Sequence, residues 1–286
     1  MPDRLTDLVA AELDEPVVPA VSAMAAQIAA LHPGARAVLF YGSCLREQQL
    51  DGLMLDFYVI VEDYSRAYPR RWLAWANRLI PPNVFPFASG GMSAKYAVLS
   101  EADFHRLCGP ETRNVSVWAR FAQPSRLVWT ADAAAREAAI AAIARAAPTL
   151  LAAAESRDGE AALDWWRRAF SLTYSAELRA ERGTRAASVV DADPLRYQRF
   201  SGPAMAAIPT GARGGQWARR RWEGKLLSIA RLMKATFTFA GGIDYLAWKV
   251  NRHAGTQIAI APWQRRHPIL AAFTLLPRLM WQGAIK

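Results

Sequence analysis

"FYGSCLREQQLDGLMLDFYVIV", residues 40–61, decides how this chain reads. Two strands are predicted here: "ARAVLFYG" (35–42), apolar and ending in a glycine, and "LMLDFYVIV" (53–61), rich in Val, Ile and aromatics. Asp56 stands in the middle of the second, among residues that belong in a core. A buried carboxylate needs a cation or a hydrogen-bond donor beside it. Upstream, the Gly42-Ser43 turn offers backbone N–H groups and a hydroxyl to an anion, and glycine lets the backbone come close to a phosphate. An aspartate on the neighbouring strand can then hold a divalent ion that bridges the same phosphates. These residues alone leave a second reading open: a turn glycine, and an aspartate tied to a neighbouring arginine.

Outward from this stretch the pattern alternates. Residues 5–31 read as amphipathic helix around a break at Pro16–Pro19. "SRAYPRRWLAWANRLI" (65–80) reads as helix, and "PPNVFPFASGG" (81–91) as loop from its Pro and Gly content. "SAKYAVLS" (93–100) alternates like a third strand, and "EADFHRLC" (101–108) starts a helix capped by Ser100. The fold class expected is α/β (α+β), with residues 1–130 as its first domain. Residues 131–212 are alanine-rich and helix-favouring, divided at Pro148 and "RDGE", and read as a mainly helical second domain. "GARGG" (211–215) is a joint, and residues 213–286 form a basic C-terminal region.

With 286 residues, 52% of them hydrophobic and 21% charged, the chain is globular and global disorder is excluded. Two cysteines, Cys44 and Cys108, form no disulfide framework and fit a reducing compartment; Cys44 reads as a small buried filler. The four scattered histidines and two cysteines show no zinc-ligand spacing. Charge is uneven. From Arg213 onward thirteen Lys/Arg face only Glu223 and Asp244, a net of +11, which leaves −1 for the remainder of a chain carrying +10. Such a tail suggests a polyanionic partner. In it, Leu226, Ile229, Ala230, Met233 and Phe237 make an apolar stripe, with Lys225, Arg231 and Lys234 off it. Trp217, Trp222, Trp248, Trp263 and Trp281 accompany the cations. Apolar face, tryptophans and cations together favour an anionic membrane surface, with no nucleic acid expected; packing of the stripe into the protein's own core is the alternative. The N-terminus resembles no signal or transit peptide, and no uninterrupted apolar stretch reaches the ~18 residues of a membrane span.

Further motifs follow in order: "AKYAVLS", "SVWARFAQPSRLVW" (116–129) and "FSLTYSAELRAERG" (170–183). With the opening stretch and the tail, this series resembles the mitochondrial-type phosphatidate cytidylyltransferases of the translocator-assembly-and-maintenance family, which make CDP-diacylglycerol. In that family a Tyr-Gly-Ser turn precedes a "MLDF"-like strand lacking the first aspartate of the nucleotidyltransferase pair; here Met54 stands in that place. The resemblance implies a polymerase β-like nucleotidyltransferase domain, with CTP and phosphatidic acid as substrates and Mg²⁺ as cofactor. It implies that Gly42 and Ser43 cradle phosphate, that Asp56 binds the metal, and that Lys95 acts in catalysis by neutralising a phosphate. Arg120, Tyr174, Ser175 and Arg179 match further nucleotide- and phosphate-binding positions. Gln123, Cys44 and Glu177 depart from the family's lysine, glycine and aspartate. Asp51 reads as a turn residue, with a metal role as the alternative. The expected location is the bacterial cytoplasm, peripheral on the inner membrane. Two rivals stay open: a nucleotidyltransferase acting on a small molecule or an RNA end, and a non-catalytic nucleotide-binding, membrane-associated protein.

Overall fold

The structure, a computed structural model, describes residues 4–46, 53–177, 189–212, 214–238 and 261. Five strands, β1 (Ala35–Tyr41), β2 (Met54–Val61), β3 (Asn83–Ser89), β4 (Met92–Ser100) and β5 (Ser125–Thr130), form one sheet in the order β3-β4-β2-β1-β5. β2 and β4 run parallel, and the other neighbouring pairs are antiparallel. The fold is mixed α/β of the α+β kind, as the pattern predicts.

Helices cover both faces of the sheet, which is why β1 and β2 read as apolar runs. On one face α2 (Pro19–Ala30), α3 (Tyr64–Ala67) and α4 (Arg71–Leu79) pack against Val38, Phe40, Phe57, Val59, Tyr96 and Val98. On the other, α1 (Leu5–Leu13), α5 (Glu101–Cys108), α6 (Trp118–Phe121), α7 (Ala133–Ala144), α8 (Ala146–Ala154), α9 (Ala162–Ala176) and α10 (Pro194–Ala206) share one cluster with Leu39, Tyr58, Ile60 and Leu99. That cluster runs from Leu5 to Ala204 and so includes side chains from both sides of position 131. Glu12 of α1 and Arg196 of α10 form a buried two-bond ion pair, one bond being 3.0 Å from Nη2 to Oε1. Arg196 Nη1 also donates to the Ala122 carbonyl at 3.1 Å.

Several local readings are revised. Residues 83–89, within the stretch read as loop, are the edge strand β3, which turns through Gly90 and Gly91, both at positive φ, into β4. An edge strand tolerates Pro86 because only one side of it must donate to a ladder. The helix read over 65–80 is broken at Tyr68–Arg70 between α3 and α4. Pro148 does not divide the helices after 131. It lies in the first turn of α8, where a missing N–H costs little, and the break falls at Arg145. Taken together, Ala133–Ala154 is long and apolar enough to pass for a membrane span, although Arg136, Glu137 and Arg145 interrupt it, so it is not the uninterrupted apolar stretch whose absence the sequence indicates. Its most apolar window is 67% buried inside the protein, as a core helix would be. Both cysteines are buried, on opposite faces of the sheet; Cys44 packs in the core and donates to the Met54 carbonyl at 3.5 Å. The Ser100 cap is present, its side chain accepting from the Asp103 N–H.

Candidate functional site

Strand alternation sets which side chains meet. On β2, Leu55, Phe57 and Val59 face α2–α4, so Asp56 and Tyr58 face the helical layer opposite. On β4 the same parity puts Lys95 on the Asp56 side. The parallel register aligns Asp56 with Lys95, and their side chains form an ion pair of 2.9 Å from Nζ to Oδ1. The partner that a carboxylate in "MLDFYVIV" demands is therefore this lysine. On the other flank, Tyr41 at the end of β1 is the antiparallel partner of Asp56.

Gly42 follows Tyr41 with φ +97°, a conformation that a side chain makes unfavourable. A Cβ at this position would lie 3.2 Å from Asp56 Oδ2, so the glycine keeps clear the approach to that oxygen. Ser43 opens a short 3₁₀ turn, Ser43–Arg46, with its side chain exposed.

Arg120, from α6, closes the site from above. Its Nη1 donates to the Ser116 carbonyl at 2.7 Å and to the Tyr58 hydroxyl at 3.4 Å, and its guanidinium lies 5.7 Å from the Tyr41 ring centre. Burial works against the Arg120 charge; Tyr58, Tyr41, Glu177 and Asp56 offset that effect and hold the group above its usual pKa. Burial first, then the Asp56 carboxylate, pushes the Tyr41 phenol well above its usual value, so it remains a protonated donor. Glu177, the residue that ends α9, acts electrostatically on both Tyr41 and Arg120.

The remaining wall is a surprise of the tail. Helix α11 (Trp217–Thr238) packs along α9 and β3. At Gly224 an added Cβ would collide with the Ala176 carbonyl oxygen, so glycine is what lets α11 approach α9. Arg231 and Lys234, expected beside a lipid-facing stripe, turn inward instead. Arg231 donates to the Pro81 carbonyl at 2.8 Å and to Ser116 Oγ at 2.9 Å, while its Nη2 is buried without a hydrogen-bond partner. Lys234 Nζ donates to the carbonyls of Ile80 and Pro82. Burial, and then Arg231, lowers the Lys234 pKa to about 7. Arg231 is likewise pushed down, by burial first, with Arg120 adding to the effect and Tyr58 and Glu177 opposing it.

Gly42, Asp56 and Lys95 are thus brought together directly, with Arg120 joined through Tyr41 and Tyr58. Tyr174 is partly buried against the core one turn before Glu177. Ser175 is exposed, and its hydroxyl returns to the Leu172 carbonyl of its own helix at 2.7 Å. Arg179 and Asp51 lie outside the described residues, as do Trp248, Trp263 and Trp281; the Phe237 side chain is likewise not described. Tyr41, Tyr58, Glu177 and Arg231 escape the sequence reading as site residues. The two tyrosines have a readable signal, the register of β1 with β2 and the i, i+2 spacing from Asp56. Arg231 has none, because its partners lie 115 and 150 positions away.

Among the described residues no three His, Cys, Asp or Glu side chains gather as a metal cluster. The site still fits Mg²⁺ in the manner in which that ion accompanies nucleotides, held by one or two carboxylates plus phosphates. Asp56 offers such a carboxylate, with Oδ2 kept approachable by Gly42. No family model and no curated protein matches this chain.

Proposed function

We propose that the chain is a nucleotidyltransferase of the polymerase β-like kind that joins CTP to phosphatidic acid, releasing pyrophosphate and forming CDP-diacylglycerol. The observation that carries the reading is the meeting of Gly42, Asp56 and Lys95 at one point of the sheet, an open acid-and-cation pair beside a backbone turn. The resemblance of the same segments to phosphatidate cytidylyltransferases supports the choice of substrates.

An oxygen of the lipid phosphate attacks the α-phosphorus of CTP, forming one P–O bond as the bond to the β-phosphate oxygen breaks and pyrophosphate leaves. The attacking oxygen already carries negative charge, so no general base and no covalent enzyme intermediate is needed. Catalysis then consists of positioning and charge stabilisation. Asp56 would hold Mg²⁺, which would supply positive charge to offset that of the phosphates. Lys95, beside that carboxylate, neutralises an adjoining phosphate, and the Gly42-Ser43 turn presents its backbone to another. Arg120 supplies a fixed guanidinium held by the Ser116 carbonyl. Arg231 adds a second, whose unpartnered Nη2 an anion would satisfy.

The test is incubation of the purified chain with labelled CTP, Mg²⁺ and phosphatidate. CDP-diacylglycerol is the expected product, and Asp56→Asn is expected to lower its rate by about 10³-fold or more. Transfer of label to an RNA end or a small alcohol instead, or full activity of Asp56→Asn, would overturn the reading.

A further inference from the structure

Helix α4, "RWLAWANRL", is built inside out for a soluble surface. Its inward side carries small and polar groups: Ala74 sits in the core, and Asn77 is buried with its amide donating to the Val98 carbonyl at 2.9 Å. Its outward side carries the bulk. Trp72, Trp75 and Leu79, at i, i+3 and i+7, are 43%, 69% and 81% exposed. Arg70, Arg71 and Arg78 are exposed around them, and the Arg78 guanidinium lies 5.9 Å from the Trp75 ring centre. From Tyr64 to Pro82 the sequence contains four arginines and no acid. The nearest balancing charge is Asp63, paired with Arg78 at 3.3 Å.

We infer that this face of α4 docks on an anionic lipid bilayer. Tryptophans seat at the headgroup level, Leu79 reaches the acyl boundary, and the arginines keep their guanidiniums at the lipid phosphates while their stems lie along the apolar surface. The charge distribution selects this occupant. A second copy meeting the same face about a two-fold axis would set Arg70, Arg71 and Arg78 against one another. A nucleic acid would satisfy the arginines and stack on the tryptophans, but it gives nothing to Leu79, the most exposed of the three. The sequence reading assigned membrane contact to the tail; yet Arg231 and Lys234 of α11 are spent on the protein's own carbonyls. The inference deepens the lipid half of the proposed function, is argued from the face of α4 alone, and is independent of the CTP half.

The test uses the full chain with phosphatidylcholine vesicles, with and without phosphatidylglycerol. Neither lipid is a proposed substrate, so capture by the active site is not measured. The native chain is expected to sediment with the anionic vesicles. The variant Trp72→Gln/Trp75→Gln/Leu79→Gln is expected to lose at least about tenfold in partitioning, with an unchanged melting temperature and unchanged turnover of a short-chain, monomeric phosphatidate. Equal sedimentation of that variant overturns the inference. So does a loss confined to Trp222→Gln/Leu226→Gln on α11, a preference for RNA over vesicles, or a dimer that the α4 variant disperses. Vesicle binding through α4 without CDP-diacylglycerol formation would sink the proposed function and leave this inference standing; turnover with vesicle binding indifferent to α4 would do the reverse.

Discussion

A methyl group at position 42 would meet Asp56 Oδ2 at 3.2 Å while forcing an L-residue to hold φ +97°. Gly42→Ala is therefore expected to cost about 1 kcal/mol in stability, measured by denaturant unfolding. It is also expected to lower kcat/KM for CTP by about 10- to 100-fold, because the carboxylate must move to make room. A stability loss without a catalytic one would show that the glycine serves the turn alone. Legibility at this scale was mixed. That Asp56 requires a cation follows from its apolar strand; that the cation is Lys95 rather than an arginine depends on the register of two parallel strands joined through residues 62–91. Strand parity would have brought Tyr58 into the site, since it lies two residues after Asp56 on the same face. Ser175 shows the opposite failure. A match of motif says nothing of where a hydroxyl points, and this one is turned back on its own helix.

Among the elements, α11 departs furthest from its sequence pattern. Its apolar stripe with flanking cations suits a lipid interface, but the same amphipathic pattern serves any helix with one buried side. The long side chains of Arg231 and Lys234 allow the cations to reach inward past that side. Lys234 supplies a test through pH. Its pKa falls from the ordinary lysine value to about 7 on folding, so between roughly pH 7 and 10 the unfolded chain binds more protons than the folded one. Stability should therefore rise with pH across that window, with a slope of at most ~1.4 kcal/mol per pH unit, and should be lost as pH falls toward 7. The neutral amine retains two N–H donors for the Ile80 and Pro82 carbonyls. Lys234→Met is expected to flatten this slope in denaturant titrations at several pH values; an unchanged slope would remove the assignment. The strands divide by the same logic. β2, covered on both faces, announced itself as an apolar run, and β4 as an alternating one. β3, on the edge, did not, because an edge admits the proline and the flanking glycines that read as loop.

For the molecule as a whole, the Glu12–Arg196 pair closes the chain, joining positions 184 apart with both side chains 5% exposed. Glu12→Gln leaves a buried guanidinium without its counter-charge. It is expected to cost about 3–5 kcal/mol, read as a melting temperature lower by roughly 6–20 °C. Glu12→Met/Arg196→Met should recover most of that loss, and a double variant as unstable as the single one would show that packing rather than charge is at stake. Neither residue stood out in the sequence, since a charge in an acidic first helix and one in a later helix carry no mark of each other.

The docking of α11 also has a consequence for biosynthesis. The chain is made from its N-terminus, so the sheet bearing Gly42, Asp56 and Lys95 is complete well before residue 217 is added. The helix that packs along α9 and β3 arrives last among the described elements, and a chain halted before Arg231 carries the acid and its lysine without the guanidinium that spans Ser116 and Pro81. Translation that stops before α11 thus leaves Ser116 and the Pro81 carbonyl without the arginine that joins them.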